Sequence, residues 1–158
     1  MSDTYHLGGV ALVDVTVETT IDRPVSVVAK YAADPTNAVH WWANVSAAAW
    51  QGTAGAAVGS KFAFTASHGG RPVECLYEIS EFTPGERLVI RTEQGPFPME
   101  TTYAWAATDS GTRMTVRRRG SPGGLGRLLE PLKARGVEAG ARDDLSALKG
   151  ILEGRPVS

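Results

Sequence analysis

Cysteine is nearly missing from the chain. A single residue, Cys75, excludes an internal disulfide and a cysteine-based zinc site, and suits a reducing cytoplasm. Long apolar runs are missing too: no window approaches eighteen such residues, and the opening MSDTYHLGG lacks both a charged start and an apolar core. Neither a membrane span, nor stable membrane insertion, nor a secretory signal is therefore expected. Excess charge is absent, with 16 basic against 17 acidic side chains, which argues against a nucleic-acid protein held by phosphate neutralisation. Histidine is scarce. His6, His40 and His68 are far apart, so no metal site is expected. The glycine-rich stretch Gly52–Gly59 lacks a Walker lysine, and no cofactor motif is found.

The 158 residues fit one domain, read as residues 10–154 behind a loose tail over residues 1–9. Alternation predicts a strand from Val10 to Ile21, with Val13, Val15, Val17, Thr19 and Ile21 on one face. Asp22 and Pro24 are placed to open a short helix striped by Val25, Val28 and Ala32, and Asp34-Pro35 opens a second through His40-Trp41-Trp42. Hairpins follow. Strands are predicted over Ala47–Gln51, Lys61–Ala66, Val73–Ile79, Arg87–Glu93, Thr101–Trp105 and Thr112–Arg119, with Thr83-Pro84-Gly85-Glu86 the clearest turn. Val89, Arg91 and Glu93 share a parity assigned to the solvent face.

A long helix closes the chain, from Ser121-Pro122 to Glu153. Its apolar stripe runs through Leu125, Leu128, Leu129 and Leu132, then Ala141, Leu145, Leu148 and Leu152. Pro131 predicts a kink or a helix start. Gly136 and Gly140 lie on one side, where they would let the helix approach the sheet or leave room for a ligand. The order is β-α-α-β6-α, an α+β chain with one long helix on the concave face of a curved antiparallel sheet. Such an arrangement rarely fills its own interior, which points to a cavity.

The element order and the segments VDVTVETTIDRP (13–24), DPTNAVHW (34–41), GAAVG (55–59), YEISEFTPGERL (77–88), GTRMTV (111–116) and DLSALKGILE (144–153) resemble the START-like, polyketide cyclase/dehydrase (SRPBCC) superfamily. Its helix-grip fold is that of the birch pollen allergen. The resemblance implies a seven-stranded sheet wrapped around the C-terminal helix, with a largely apolar tunnel between them. It implies no catalytic residue, because members include lipid carriers, aromatases and cyclases, hormone receptors and co-chaperone-like proteins.

Strand parity turns Phe62, Phe64, Cys75 and Tyr77 inward, together with Tyr103, Trp105 and Met114; Leu128, Leu129 and Leu132 face them from the helix. Mutual packing is the plainer role for any one of them. As a group they suit an aromatic-lined pocket for an apolar ligand. Arg118 shares the parity of Met114 and Val116, whereas Arg117 and Arg119 take the other face. Two readings of Arg118 stand. Inside a tunnel its guanidinium must be paired, and a ligand carboxylate, phosphate or enolate would do it; if the strand frays, all three arginines are solvated.

Tyr77 and Tyr103 could polarise a carbonyl, although structural tyrosines are commoner. One of Trp41 and Trp42 is expected to point inward, since successive helical residues cannot both do so, and Trp41 fits the resemblance better. His40 reads as a surface residue, and Cys75 as a core residue rather than a nucleophile. Three functions follow. The first is non-catalytic binding or transport of a hydrophobic small molecule such as a lipid, isoprenoid or polyketide; the others are an aromatase/cyclase and a co-chaperone-like interaction module. The scarcity of inward titratable groups favours the first. No pattern sets an oligomeric state.

Overall fold

The computed structural model describes residues 13–68, 70–94, 98–120 and 130–154. Seven strands form one antiparallel sheet: β1 (Val13–Ile21), β2 (Val45–Gln51), β3 (Lys61–His68), β4 (Arg71–Thr83), β5 (Arg87–Gln94), β6 (Met99–Ala107) and β7 (Thr112–Gly120). Their order across the sheet is β1-β7-β6-β5-β4-β3-β2. Strands β2 to β7 are therefore joined as successive neighbours, and β1 returns to pair with β7. The two edges, β1 and β2, are consecutive in sequence. The chain between them crosses one end of the sheet through α1 (Val25–Ala32), a 3-10 turn (Pro35–Asn37) and α2 (Ala38–Trp41). Register shifts where β2 meets β3 and at two points where β4 meets β5 are the irregularities that bend such a sheet.

Local chemistry explains the joints. Thr83-Pro84-Gly85-Glu86 closes with a hydrogen bond from the Glu86 amide to the Thr83 carbonyl, and Gly85 takes a φ of 77°, which a side chain would resist. The Asp34 side chain accepts from the Thr36 amide, and Pro35 sits at the first helical position, as the sequence predicts. Asp22 does not cap α1. Pro24 occupies the N-cap and its carbonyl accepts from Val27 and Val28, while the Asp22 amide donates to the Glu153 carboxylate. Two intervening residues put Asp22 too far upstream to reach the first turn.

The long helix is described as α3 (Glu130–Leu152). Residues 121–129, which the sequence assigns to its first part, lie outside the described residues, as does the tail read over residues 1–9. Ala141, Leu145, Leu148 and Leu152 are buried against β1, β7 and α2, and fully burying a leucine stabilises by about 2 kcal/mol. The C-terminal end is clamped. Arg23 donates to the Leu152 carbonyl at 2.9 Å and Lys149 to the Thr20 carbonyl, cations where the helix dipole favours them. This is the helix-grip α+β arrangement that the resemblance implies. Among the described residues no helix is long and apolar enough to cross a membrane.

Parity misplaced one strand position. Val89 is only 1% exposed although it shares the outer face with Arg91 and Glu93. It sits on an inner strand between Glu81 of β4 and Thr102 of β6, and parity gives a face without saying what flanks it.

Candidate functional site

Cross-strand register builds the inner face in rows. Val15, Arg118, Thr101 and Ile90 lie opposite one another across β1, β7, β6 and β5; the next row is Val17, Val116, Tyr103 and Leu88. The second row carries one polar group, the Tyr103 hydroxyl; the first is marked by Arg118 and Thr101, with buried Thr92 next to Ile90 along the same face of β5.

Arg118 is 8% exposed, so strand β7 does not fray there; Arg117 is exposed and Arg119 half-buried. Its partner belongs to the chain itself. Nη2 donates to Asp144 Oδ2 of α3 at 2.9 Å, and Asp144 is 4% exposed. The other carboxylate oxygen accepts from the Ala43 amide at 2.9 Å, so one carboxylate joins α3, β7 and the segment after α2. The guanidinium also lies over the Trp42 ring, 4.5 Å from its centroid, a cation–π contact. Trp42 in turn donates from Nε1 to the Tyr103 hydroxyl at 3.0 Å.

Both tryptophans are buried, Trp41 at 2% and Trp42 at 7% exposure, where only one was expected inside. The helix ends at Trp41, and Trp42 has extended backbone (φ −83°, ψ 115°), so the 100° step between helical neighbours does not apply. Around them the rings are continuous. Phe64 meets Trp42 edge-on at 5.1 Å, Phe62 stacks on Tyr77 at 5.4 Å, and Tyr103 lies between Trp41 and Trp105 at 5.6 and 6.2 Å.

Burial pushes the Tyr77 hydroxyl from 10.0 up to about 12; Cys75 adds to the rise, and Arg118 and a hydrogen bond with Thr92 oppose it. The residue keeps some exposed surface, but its hydroxyl end is the buried one. Burial also raises Tyr103, against the opposing effects of Arg118 and the Trp42 hydrogen bond. Both phenols are neutral at physiological pH, hence hydrogen-bonding groups and not bases. Burial likewise raises the Cys75 thiol, with Glu74 adding to it, which makes it a poor nucleophile. His40 is exposed. Among the described residues no group of three or more His, Cys, Asp or Glu side chains could hold a metal ion.

The described rings are closely packed. Between Trp41, Trp42, Phe62, Phe64 and Tyr103 the free space is about 10 Å³, no more than one water could occupy. A larger hollow, about 730 Å³, lies outside the core, where Trp50, Phe82 and Pro84 face α1. Three N–H groups on the inner face, Arg118 Nε, Trp41 Nε1 and Trp105 Nε1, are buried without a hydrogen-bond acceptor among the described residues. The fourth such group, Arg119 Nε, is 3.8 Å from Asp14.

The structure therefore brings Trp41, Phe62, Phe64, Tyr77, Tyr103 and Trp105 into one aromatic surface, with Met114 buried in the same core, and sets Arg118 at its edge. Cys75 is buried opposite Phe64. Leu128 and Leu129 lie outside the described residues, and so does the Leu132 side chain. Two site residues were missed, Trp42 and Asp144. Asp144 had a signal: it falls three residues after Ala141 and four before Leu148, on the buried side of α3. Gly136 and Gly140 do not bring the helix close to the sheet. A Cβ at either meets no described atom within 4 Å, and Gly136 is exposed.

The family model for "polyketide cyclase / dehydrase and lipid transport" matches residues 13–153. No curated protein matches the sequence. Among solved structures, the fold is similar to TTHA0849 from Thermus thermophilus (TM-score 0.76, 20% identity, 89% of this chain and 97% of that one). It is also similar to the Zhui aromatase/cyclase from Streptomyces sp. R1128 (TM-score 0.74, 15% identity, 89% and 93%). A third is Ara h 8.0201 (TM-score 0.67, 14% identity, 90% and 98%). At these identities the structural likeness shows the fold alone.

Proposed function

The chain belongs to the polyketide cyclase/dehydrase and lipid transport family, and from that membership and the inner-face geometry we propose that it binds a hydrophobic small molecule carrying a hydrogen-bond acceptor. One observation carries the proposal: three buried N–H donors, on Arg118, Trp41 and Trp105, lack acceptors on an otherwise aromatic surface. Buried polar groups in native proteins are nearly always hydrogen-bonded, and each exception asks for an explanation. A carbonyl or hydroxyl oxygen on an aromatic or aliphatic ligand supplies an acceptor to one of these donors while its skeleton packs on the rings. With about 10 Å³ free among the rings, the ligand is admitted by their displacement.

Catalysis of the aromatase/cyclase kind is the second reading, favoured by neutral Tyr77 and Tyr103 hydroxyls near a guanidinium, which could polarise a carbonyl. Asp144, the buried carboxylate whose charge reaches Tyr103, is already engaged by Arg118 and Ala43 and is not free to act as a base. Binding without chemistry is preferred.

Native mass spectrometry of the freshly purified protein, set against its denatured mass, tests the proposal. A discrete oxygen-bearing adduct that vanishes on denaturation supports it. A bare mass, followed by no uptake from a panel of lipids and aromatic polyketides, refutes it.

A further inference from the structure

We propose that Asp144 sets the charge class of the ligand: by neutralising Arg118 inside the core, it makes the inner face select an uncharged acceptor, such as a ketone or quinone, over a carboxylate or other anion. The inference rests on the inner-face binding reading and refines it. Arg118 and Asp144 are the two ionisable side chains among the buried polar and charged residues described, the others being Thr92, Thr101 and Thr112. Their charges sum to zero. The carboxylate is also held in place, since one oxygen is fixed by the Ala43 amide while the other takes the guanidinium. Swinging it away to make way for a ligand anion would break both bonds.

An anion reaching Arg118 would add an uncompensated negative charge beside Asp144, in surroundings where buried charges must be paired. A neutral carbonyl adds none. It can accept from the unpaired Arg118 Nε without disturbing the existing pair. A lone inward arginine in the sequence suggests an anionic ligand; the buried carboxylate on the facing helix reverses that expectation.

The test is a pair of probes of one shape, a methyl naphthyl ketone and the corresponding naphthoate anion, titrated by tryptophan fluorescence quenching. Wild-type protein is expected to bind the ketone at least about tenfold more tightly, equivalent to about 1.4 kcal/mol. Asp144→Asn keeps an acceptor for Ala43 while removing the charge, and should raise the naphthoate-to-ketone affinity ratio at least about tenfold. The double variant Arg118→Met/Asp144→Leu removes the Arg118 donor together with both charges, and should weaken the ketone while still excluding naphthoate; tight naphthoate binding by it would overturn the inference. Equal binding of both probes by wild type, or an unchanged ratio in Asp144→Asn, overturns the charge-class inference while leaving inner-face binding intact. Binding of neither probe to wild type overturns both.

Discussion

Truncating Asp144 to alanine strands a guanidinium in the core. Arg118, 8% exposed, loses its only ion-pair partner among the described residues, and the Ala43 amide loses its acceptor. Removing one member of a buried pair costs about 3–5 kcal/mol, and the Ala43 bond about 1 kcal/mol more. The Trp42 face still receives the cation and offsets part of that loss, by about 1–2 kcal/mol. A net cost near 4 kcal/mol remains, a large share of a domain's usual 5–15 kcal/mol. For a chain of this length it lowers Tm by about 8–16 °C.

The double variant Arg118→Met/Asp144→Leu removes both charges at once. Replacement of a buried pair by apolar side chains is often neutral or stabilising, so this variant should lie within about 2 kcal/mol of wild type. Urea unfolding followed by circular dichroism gives both numbers, provided the slope m is the same for all variants. A cost below about 1 kcal/mol for Asp144→Ala would mean that the pair is solvated. A double variant that costs the sum of the two single ones would mean that it is uncoupled. Either result refutes the reasoning.

Gly136→Ala and Gly140→Ala should each stabilise by up to about 1 kcal/mol in thermal melts, because the new methyl meets no described atom within 4 Å and only the helix propensity changes. Gly111→Ala should destabilise by about 3 kcal/mol, since its Cβ would fall 2.2 Å from the Ile21 carbonyl oxygen, and backbone cannot step aside; urea unfolding reads the loss. Asp14→Asn should cost less than about 1 kcal/mol at neutral pH, as the pair with Arg117 is exposed. Hydrogen bonds from Arg117 hold the Asp14 carboxyl below its ordinary 3.8, so this contribution is full above that value and fades as pH falls through the lower folded-state value. Wild-type and variant stabilities, measured by denaturation down a pH series, should converge in acid.

The strands were legible because each inward row alternates with charged or small polar residues, and Asp34-Pro35 and Thr83-Pro84-Gly85-Glu86 fix their turns by side-chain chemistry alone. Parity also placed Arg118 inside. What it could not supply was the partner across the fold. Asp144 is separated from Arg118 by 26 residues and from Ala43 by 101, and only the packing of α3 brings them together. Trp42 escaped because a helix of four residues ends one position before it. The close packing of the described rings was hidden for a related reason. Ring orientations at Trp41, Phe62 and Phe64 decide whether a concave sheet leaves space, and alternation fixes faces without fixing rotamers.

The central claim concerns the inner face, and the four tryptophans report on it directly. Trp41 and Trp105 carry unpaired indole N–H groups on that face, Trp42 is already bonded to Tyr103, and Trp50 lines the outer hollow. A proton–nitrogen correlation spectrum resolves one indole signal for each. Titration with the methyl naphthyl ketone should shift the signals of Trp41, Trp42 and Trp105 as the inner rings make room for it, by more than that of Trp50, which meets the inner face only through Phe62. A shift confined to Trp50 would put the ligand in the outer hollow and contradict the account.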